Sequence, residues 1–359
     1  MTLLVTNVIF QPDFTRVSTF TKGDSQMKPE TVLSGIRATS RLHFGNFIGA
    51  VQNFVKFQQP GNTCLYFIAD WHSQTTLGDL EEIRNNLIEI VKDYIAAGLD
   101  PEQSIIYAQS SVPEIAELSW YLSCLQHPVG KLLRMPSYEE KKGKSATSDN
   151  LGLLSYPVLM AADILGPRAT LVPVGDDQVI HVELARTLAR RFNSHFGSTF
   201  VVPEMMEHMI RVPGLDGNKM SKSDADNVIE ISSPMEEIRD RYLKRGVTDI
   251  ERKRASDPGD PYNRCQSVYP VHEFITPGEA ETRTIANACK EARIGCVACK
   301  NLLVGSIGKI LEPFQAKRAE LADKDDYIKE VLHEGGKKAR GMIRETVEVV
   351  RDKMGIVIY

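Results

Sequence analysis

No stretch of this 359-residue chain approaches the roughly 18 uninterrupted apolar residues that a bilayer-spanning helix requires, so no transmembrane segment is expected. The opening Met1-Thr2-Leu3-Leu4-Val5 lacks a basic n-region and meets Pro12-Asp13 too soon for a secretory signal. Neither charge dominates: 43 basic and 47 acidic side chains leave a formal net charge of −4. That excludes an overall basic coat for nucleic acid but leaves room for a local basic face. Cysteines are few, six in all. Without an export signal they point to a reducing, cytoplasmic compartment, and to thiol or metal chemistry rather than disulfides. No internal repeat is visible. What is present is a globular mix, 42% hydrophobic and 25% charged, which excludes disorder as the main state. The length suits one large domain or two ordinary ones.

Residues 1–26 are rich in Thr and Ser without periodicity and read as a loose extension, so an ordered pattern is expected only from about residue 30. From Thr31 to about Val201 short apolar runs alternate with amphipathic segments. Thr63–Ala69 is nearly all apolar, like a strand buried on both faces. Asp79 with Glu82 offers a capping box, followed by Leu80, Ile83, Leu87, Ile90, Val91 and Tyr94 at helical spacing. Ser104–Ala108 and Thr170–Val174 read as strands, Glu114–Leu125 and Gln178–Phe192 as helices. This repetition predicts an α/β fold with a doubly wound parallel sheet over residues 30–228. The strand signal then fades, and 229–359 reads as a second, all-helical domain. In it Ser233-Pro234-Met235-Glu236-Glu237 opens a helix, and Gly335-Gly336 is expected to interrupt or kink the last one.

Open α/β sheets bind ligands at the carboxyl ends of their strands. The first strand, about Thr31–Leu33, runs into Ser34-Gly35-Ile36-Arg37 and then His43-Phe44-Gly45-Asn46, where a helix begins. A His and a Gly at such a turn suit phosphate binding: glycine lets the ligand approach, the helix N-terminus offers N–H groups, and His donates a hydrogen bond. An ordinary turn with a surface His is the alternative. Farther along, Gly217-Asn218-Lys219-Met220-Ser221-Lys222-Ser223 holds two lysines in a polar stretch. Their mutual repulsion makes sense in a loop that closes on a polyphosphate, and a solvated basic loop is the alternative.

Together, an H-x-G-N turn after the first strand and a KMSKS loop after the last resemble the signature pair of class I aminoacyl-tRNA synthetases. Three further strings narrow the family: Ser34–Thr39, Tyr156–Leu165 (YPVLMAADIL) and Val172–Gln178 (VPVGDDQ) resemble tryptophanyl-tRNA synthetase, from about residue 31 almost to the C-terminus. The resemblance implies joining of L-tryptophan to ATP, with Mg²⁺, as an adenylate, then transfer to tRNA-Trp. It implies that His43 and Asn46 touch ATP, that Gly45 makes room for it, and that Lys219 and Lys222 hold the polyphosphate. A lysine of Lys141-Lys142-Gly143-Lys144, for which Lys142 is the choice, joins them. Arg37, Asp177, Met220 and Ser221 complete the nucleotide site. Asp163 takes the indole N–H, Met160, Val172, Val174 and Leu33 border the indole slot, Gln178 and Tyr156 hold the amino group, and His72 lies near the same pocket. The chain departs from many tryptophanyl enzymes in having Arg37 for Gln and Leu33 for Phe. The family further implies a homodimer. The rivals are a tyrosyl-tRNA synthetase and a non-charging, tryptophan-binding regulatory paralogue.

Cys265, Cys289, Cys296 and Cys299 form the pattern C-x₂₃-C-x₆-C-x₂-C, while Cys64 and Cys124 read as core residues. Four thiolates suit Zn²⁺ or a [4Fe–4S] cluster, and the spacing leaves both open. Arg264-Cys265-Gln266 and Ile294–Lys300 (IGCVACK) resemble the bacterial tryptophanyl enzymes that carry a [4Fe–4S] cluster in the anticodon-binding domain. Lys300 and Arg293 are candidates to meet tRNA phosphate, and Arg252-Lys253-Arg254 and Lys337-Lys338 are candidates for a local positive face, with ordinary solvated surface as the alternative for each.

Overall fold

The computed structural model describes residues 28–39, 41–75, 79–125, 129–139, 150–206, 212–220, 224 and 226–357. The extension over 1–26, the Lys141–Lys144 cluster with Lys142, and Ser221 and Lys222 lie outside the described residues. The apolar runs form five parallel strands: β1 (Thr31–Ile36), β2 (Thr63–Ile68), β3 (Ser104–Ala108), β4 (Leu171–Pro173) and β5 (Glu204–Met206). Their order is β3-β2-β1-β4-β5, so the winding reverses between β1 and β4, the doubly wound arrangement expected. Register runs from Thr31↔Thr63 to Ile36↔Ile68 between β1 and β2, and from Cys64↔Ser104 to Ile68↔Ala108 between β2 and β3. In β2 every residue from Cys64 to Ile68 is buried, as a strand covered on both faces must be.

Among the described residues nine helices have eight residues or more: α1 (Leu80–Ala96), α2 (Glu114–Ser123), α3 (Leu151–Leu165), α4 (Val179–Phe196), α5 (Met235–Arg245), α6 (Val268–Ile275), α7 (Glu279–Lys290), α8 (Cys296–Glu320) and α9 (Asp325–Met354). The α1 cap forms as expected, Asp79 accepting from the backbone N–H groups of Glu81 and Glu82. Ile83, Ile90, Val91 and Tyr94 are buried, but Leu80, in the first turn, is 65% exposed.

The described residues pack as two compact units: one within His43–Gly45 and Arg211–Ala316, the other within Gln26–Leu42, Asn46–Ile210 and Lys317–Tyr359. The packing therefore divides the chain elsewhere than at residue 228, because α9 belongs with the sheet. Its Ala339, Ile343, Val347 and Val350 join Leu33, Leu65, Tyr107 and Val172 in one apolar core. The expected break at Gly335-Gly336 does not occur; α9 is continuous. A Cβ on Gly335 would lie 1.9 Å from the carbonyl oxygen of Ile106, and one on Gly336 2.9 Å from Ser111 Cβ. The glycines let the helix backbone lie against the end of β3, and tertiary contact overrides their poor helix propensity.

Candidate functional site

Helix α3 carries Tyr156, Met160 and Asp163 at spacings of four and three, which brings them to one face. Asp163, in the last turn, is 1% exposed and is held by residues that follow two strands. His72, just beyond β2, has Nε2 2.8 Å from Asp163 Oδ2. Gln109, the first residue after β3, donates from Nε2 to Oδ1 and to Oδ2, each at 2.9 Å. The Gln109 Oε1 accepts from the His72 backbone N–H at 3.3 Å, tying the two together. Burial raises the Asp163 carboxyl above its ordinary range, and the hydrogen bonds and charge of His72 with the Gln109 amide work against that rise.

The Tyr156 hydroxyl lies 2.8 Å from Nε2 of His181, a fully buried residue of α4. Its ring stands edge-on to His72 at 6.0 Å. Arg37 is half-buried, and desolvation lowers its pKa against the opposing pull of Tyr156. Leu33, Val172 and Val174 are buried members of the apolar core, with Met160 packed against it. Gln178 is half-buried and donates to the carboxylate of the exposed Asp177 at 3.0 Å. Sequence reasoning missed Gln109 and His181. The signal for Gln109 was its place at the carboxyl end of a strand; nothing in the sequence marks His181 beyond its helical spacing.

In the other unit His43 is buried and its backbone forms an isolated antiparallel β-bridge with that of Glu230, and the Phe44 N–H donates to the Ile229 carbonyl at 2.8 Å. The Gly45 N–H points to Met220 Sδ at 3.4 Å, and a Cβ on Gly45 would lie 3.1 Å from the His43 ring. The H-x-G turn and the start of the KMS loop are thus neighbours. Asn227 organises that loop: its Oδ1 accepts from the Asp216 N–H at 2.9 Å and its Nδ2 donates to the Lys219 carbonyl at 3.2 Å. Met220 is buried and Lys219 exposed. Asn46, in the short helical run Phe44–Asn46, is half-buried.

Cys265, Cys289, Cys296 and Cys299 line one cavity with Asp249, Arg252 and Tyr269. Cys265 and Cys299 are buried, the other two half-buried. Burial pushes the Cys265 thiol up to about 11 and Cys299 up to about 12, with the other cysteines adding to the rise. The Tyr269 N–H donates to Cys265 Sγ at 3.3 Å and Arg252 Nη1 to Cys289 Sγ at 3.7 Å. Among the described residues no group of three or more His, Cys, Asp or Glu is arranged to hold a single metal ion. The four cysteine residues nevertheless line one cavity, and cysteine thiolates are the soft donors that a thiolate-bound group would require.

Cys64 is buried as expected, but Cys124 is exposed. It follows the last residue of α2, whose buried face is taken by Leu118 and Leu122. Lys300 also departs from expectation: it is 9% exposed and donates to the Leu243 carbonyl at 3.1 Å, which withdraws it from any phosphate. Arg293 pairs with Glu291 at 2.6 Å and Lys337 with Glu334 at 2.7 Å.

The family model of class I tRNA synthetases for W and Y matches residues 25–312, and the chain belongs to that family. Within it, the chain is 41% identical to the tryptophan–tRNA ligase of Thermotoga maritima over 330 residues, 91% of this chain and 99% of the relative. It is 40% identical to the tryptophan–tRNA ligase of Deinococcus radiodurans, over 91% of this chain and 98% of that one. The fold matches the crystal structure of tryptophanyl-tRNA synthetase from Campylobacter jejuni complexed with ADP and tryptophan. The TM-score is 0.77 at 34% identity, over 90% of this chain and 99% of that chain.

Proposed function

We infer that this chain is an enzyme that ligates tryptophan to tRNA: it joins L-tryptophan to ATP as tryptophanyl-adenylate, releases pyrophosphate, and transfers the acyl group to tRNA-Trp. The observation that carries the reading is the buried, donor-held Asp163 at the carboxyl ends of β2 and β3 in a chain so similar to tryptophan–tRNA ligases. A buried carboxylate suits a neutral N–H donor such as the indole, and phenylalanine would leave it short of a partner.

The substrate carboxylate is already ionised at neutral pH and attacks the α-phosphorus without a general base. Positioning and charge stabilisation then carry the catalysis. In this reading His43 and Asn46 contact ATP and Gly45 admits it. Lys219 and Lys222, with Lys142 from the Lys141–Lys144 cluster, balance the charge on the leaving pyrophosphate. Arg37, Asp177, Met220 and Ser221 complete the nucleotide contacts. Mg²⁺, brought with ATP, supplies charge neutralisation on the phosphates. Met160, Val172, Val174 and Leu33 form the apolar surroundings of the indole, and Tyr156, Gln178 and His72 orient the amino acid.

Cys265, Cys289, Cys296 and Cys299 would hold a [4Fe–4S] cluster, with zinc as the alternative; the cavity that all four residues line supports the assignment. Adenylate formation moves no electrons, so such a group serves to order the loops around it for tRNA. A cytoplasmic location and a homodimer complete the proposal. Among the described residues no helix is long and apolar enough to cross a membrane.

Charging of tRNA-Trp with labelled tryptophan tests the reading, and failure to charge would leave the regulatory alternative. Iron, sulfide and zinc analysis of anaerobically purified protein tests the cofactor. About four irons and four sulfides per chain are expected; stoichiometric zinc would reassign the cysteines as a structural clamp.

A further inference from the structure

Gln109 is fully buried, and every polar atom of its side chain is engaged at one place. Its amide orientation is fixed by its partners. Nε2 lies 2.9 Å from both Asp163 oxygens, while Oε1 accepts the His72 backbone N–H at 3.3 Å. Exchanging the amide O and N would set oxygen against carboxylate and N–H against N–H, so only one assignment satisfies all three contacts. Gln109 thereby couples the end of β3, the turn after β2 and the last turn of α3. It does so without adding a charge beside Asp163.

The donors are distributed unevenly over the carboxylate. Oδ2 receives both His72 Nε2 and Gln109 Nε2, whereas Oδ1 receives Gln109 Nε2 alone. A carboxylate offers about four acceptor positions. We propose that Gln109 is a specificity-determining positioning residue: by bracing Asp163 against His72 it holds the carboxylate turned so that Oδ1 takes the indole N–H of tryptophan. This rests on the reading of Asp163 as the indole acceptor.

The test compares tryptophan with its benzothiophene isostere, β-(1-benzothiophen-3-yl)alanine, in which sulfur replaces the N–H, by amino-acid-dependent ATP–pyrophosphate exchange. Gln109→Met keeps the side-chain shape and removes the amide. It should raise the tryptophan KM by about 10- to 100-fold, the range for losing a hydrogen bond to a charged group, with the KM for ATP unchanged. The preference for tryptophan over the isostere should shrink by a similar factor. Loss of a donor also raises the carboxyl pKa, so tryptophan affinity in the variant should fail at a higher pH than in the wild type as pH drops.

Gln109→Glu is the companion variant. Its carboxylate repels Asp163 at neutral pH, but once protonated it can donate, so tryptophan use should recover on acidification where Gln109→Met does not. If the wild type uses tryptophan and the isostere equally well, the Asp163 reading itself fails. If the wild type discriminates but Gln109→Met keeps its ratio, its KM and its pH limb, the inference fails while that reading stands. A parallel loss of tryptophan and ATP binding with lowered thermal stability, and no acid recovery in Gln109→Glu, would also overturn it in favour of a purely structural role.

Discussion

Asp163 pays for its burial with three contacts from two side chains, and that arrangement sets what a substitution does. Asp163→Asn presents an amide to donors that expect a carboxylate, and should raise the tryptophan KM by about 100-fold or more while the KM for ATP stays put. Steady-state exchange kinetics with each substrate varied in turn check this; equal changes in both KM values would contradict it. The Tyr156–Leu165 string, by its resemblance to a family, drew attention to Asp163, and the structure places His72 beside it. Gln109 was missed: its place at the carboxyl end of a strand was the one signal, and a glutamine between Ala108 and Ser110 belongs to no motif that would single it out. Lys300 shows the opposite failure: a lysine beside a cysteine motif reads as basic surface, yet its stem packs inward and its ammonium is spent on a backbone carbonyl.

Elements were easier to read than their partners. Apolar runs and caps located four of the five strands and the cap of α1, because burial on both faces and orphan N–H groups leave marks within a few residues. What lies against what left no such mark. The contact of α9 with β3 joins residues more than 200 apart in sequence, and glycines that by propensity break a helix make room there for the Ile106 carbonyl beside Gly335 and for Ser111 beside Gly336. Gly335→Ala should lower stability by about 3 kcal/mol or more, since the obstructing atom is backbone and the overlap severe. Urea unfolding checks this, and a loss below about 1 kcal/mol would contradict the packing.

The same measurement addresses α1. There Asp93 is 1% exposed beside Arg318, which also pairs with Glu89. Burial pushes the Asp93 carboxyl up to about 6 against the opposing pull of Arg318. The native state then keeps this proton up to about pH 6, whereas the unfolded chain releases it near pH 4. The contribution of Asp93 to stability is therefore greatest below about pH 4 and falls as pH rises through 6. Relative to Asp93→Asn, the wild type should lose stability across that window; a gain would contradict the assignment.

At the scale of the whole molecule, activation and tRNA charging are separable reactions, and the proposed function assigns the cysteine site to the second. Cys296→Ser should impair charging of tRNA-Trp more than tryptophan-dependent exchange; equal loss of both would refute a tRNA-specific role. The sheet topology was legible from the alternation of runs, and the helical character of the C-terminal third from its periodicity. The division of the chain was not. Residue 228 marks where strand-like sequence stops, but packing follows α9 back to the sheet.

The central claim is that the donor-held carboxylate at the strand ends selects tryptophan for activation by ATP. ATP–pyrophosphate exchange with the purified full chain, run separately with tryptophan, tyrosine and phenylalanine, tests it most directly. Exchange with tryptophan at least about 10³-fold more efficient than with either other amino acid is the result expected. Exchange with tyrosine in preference to tryptophan, or with none of the three, would contradict it.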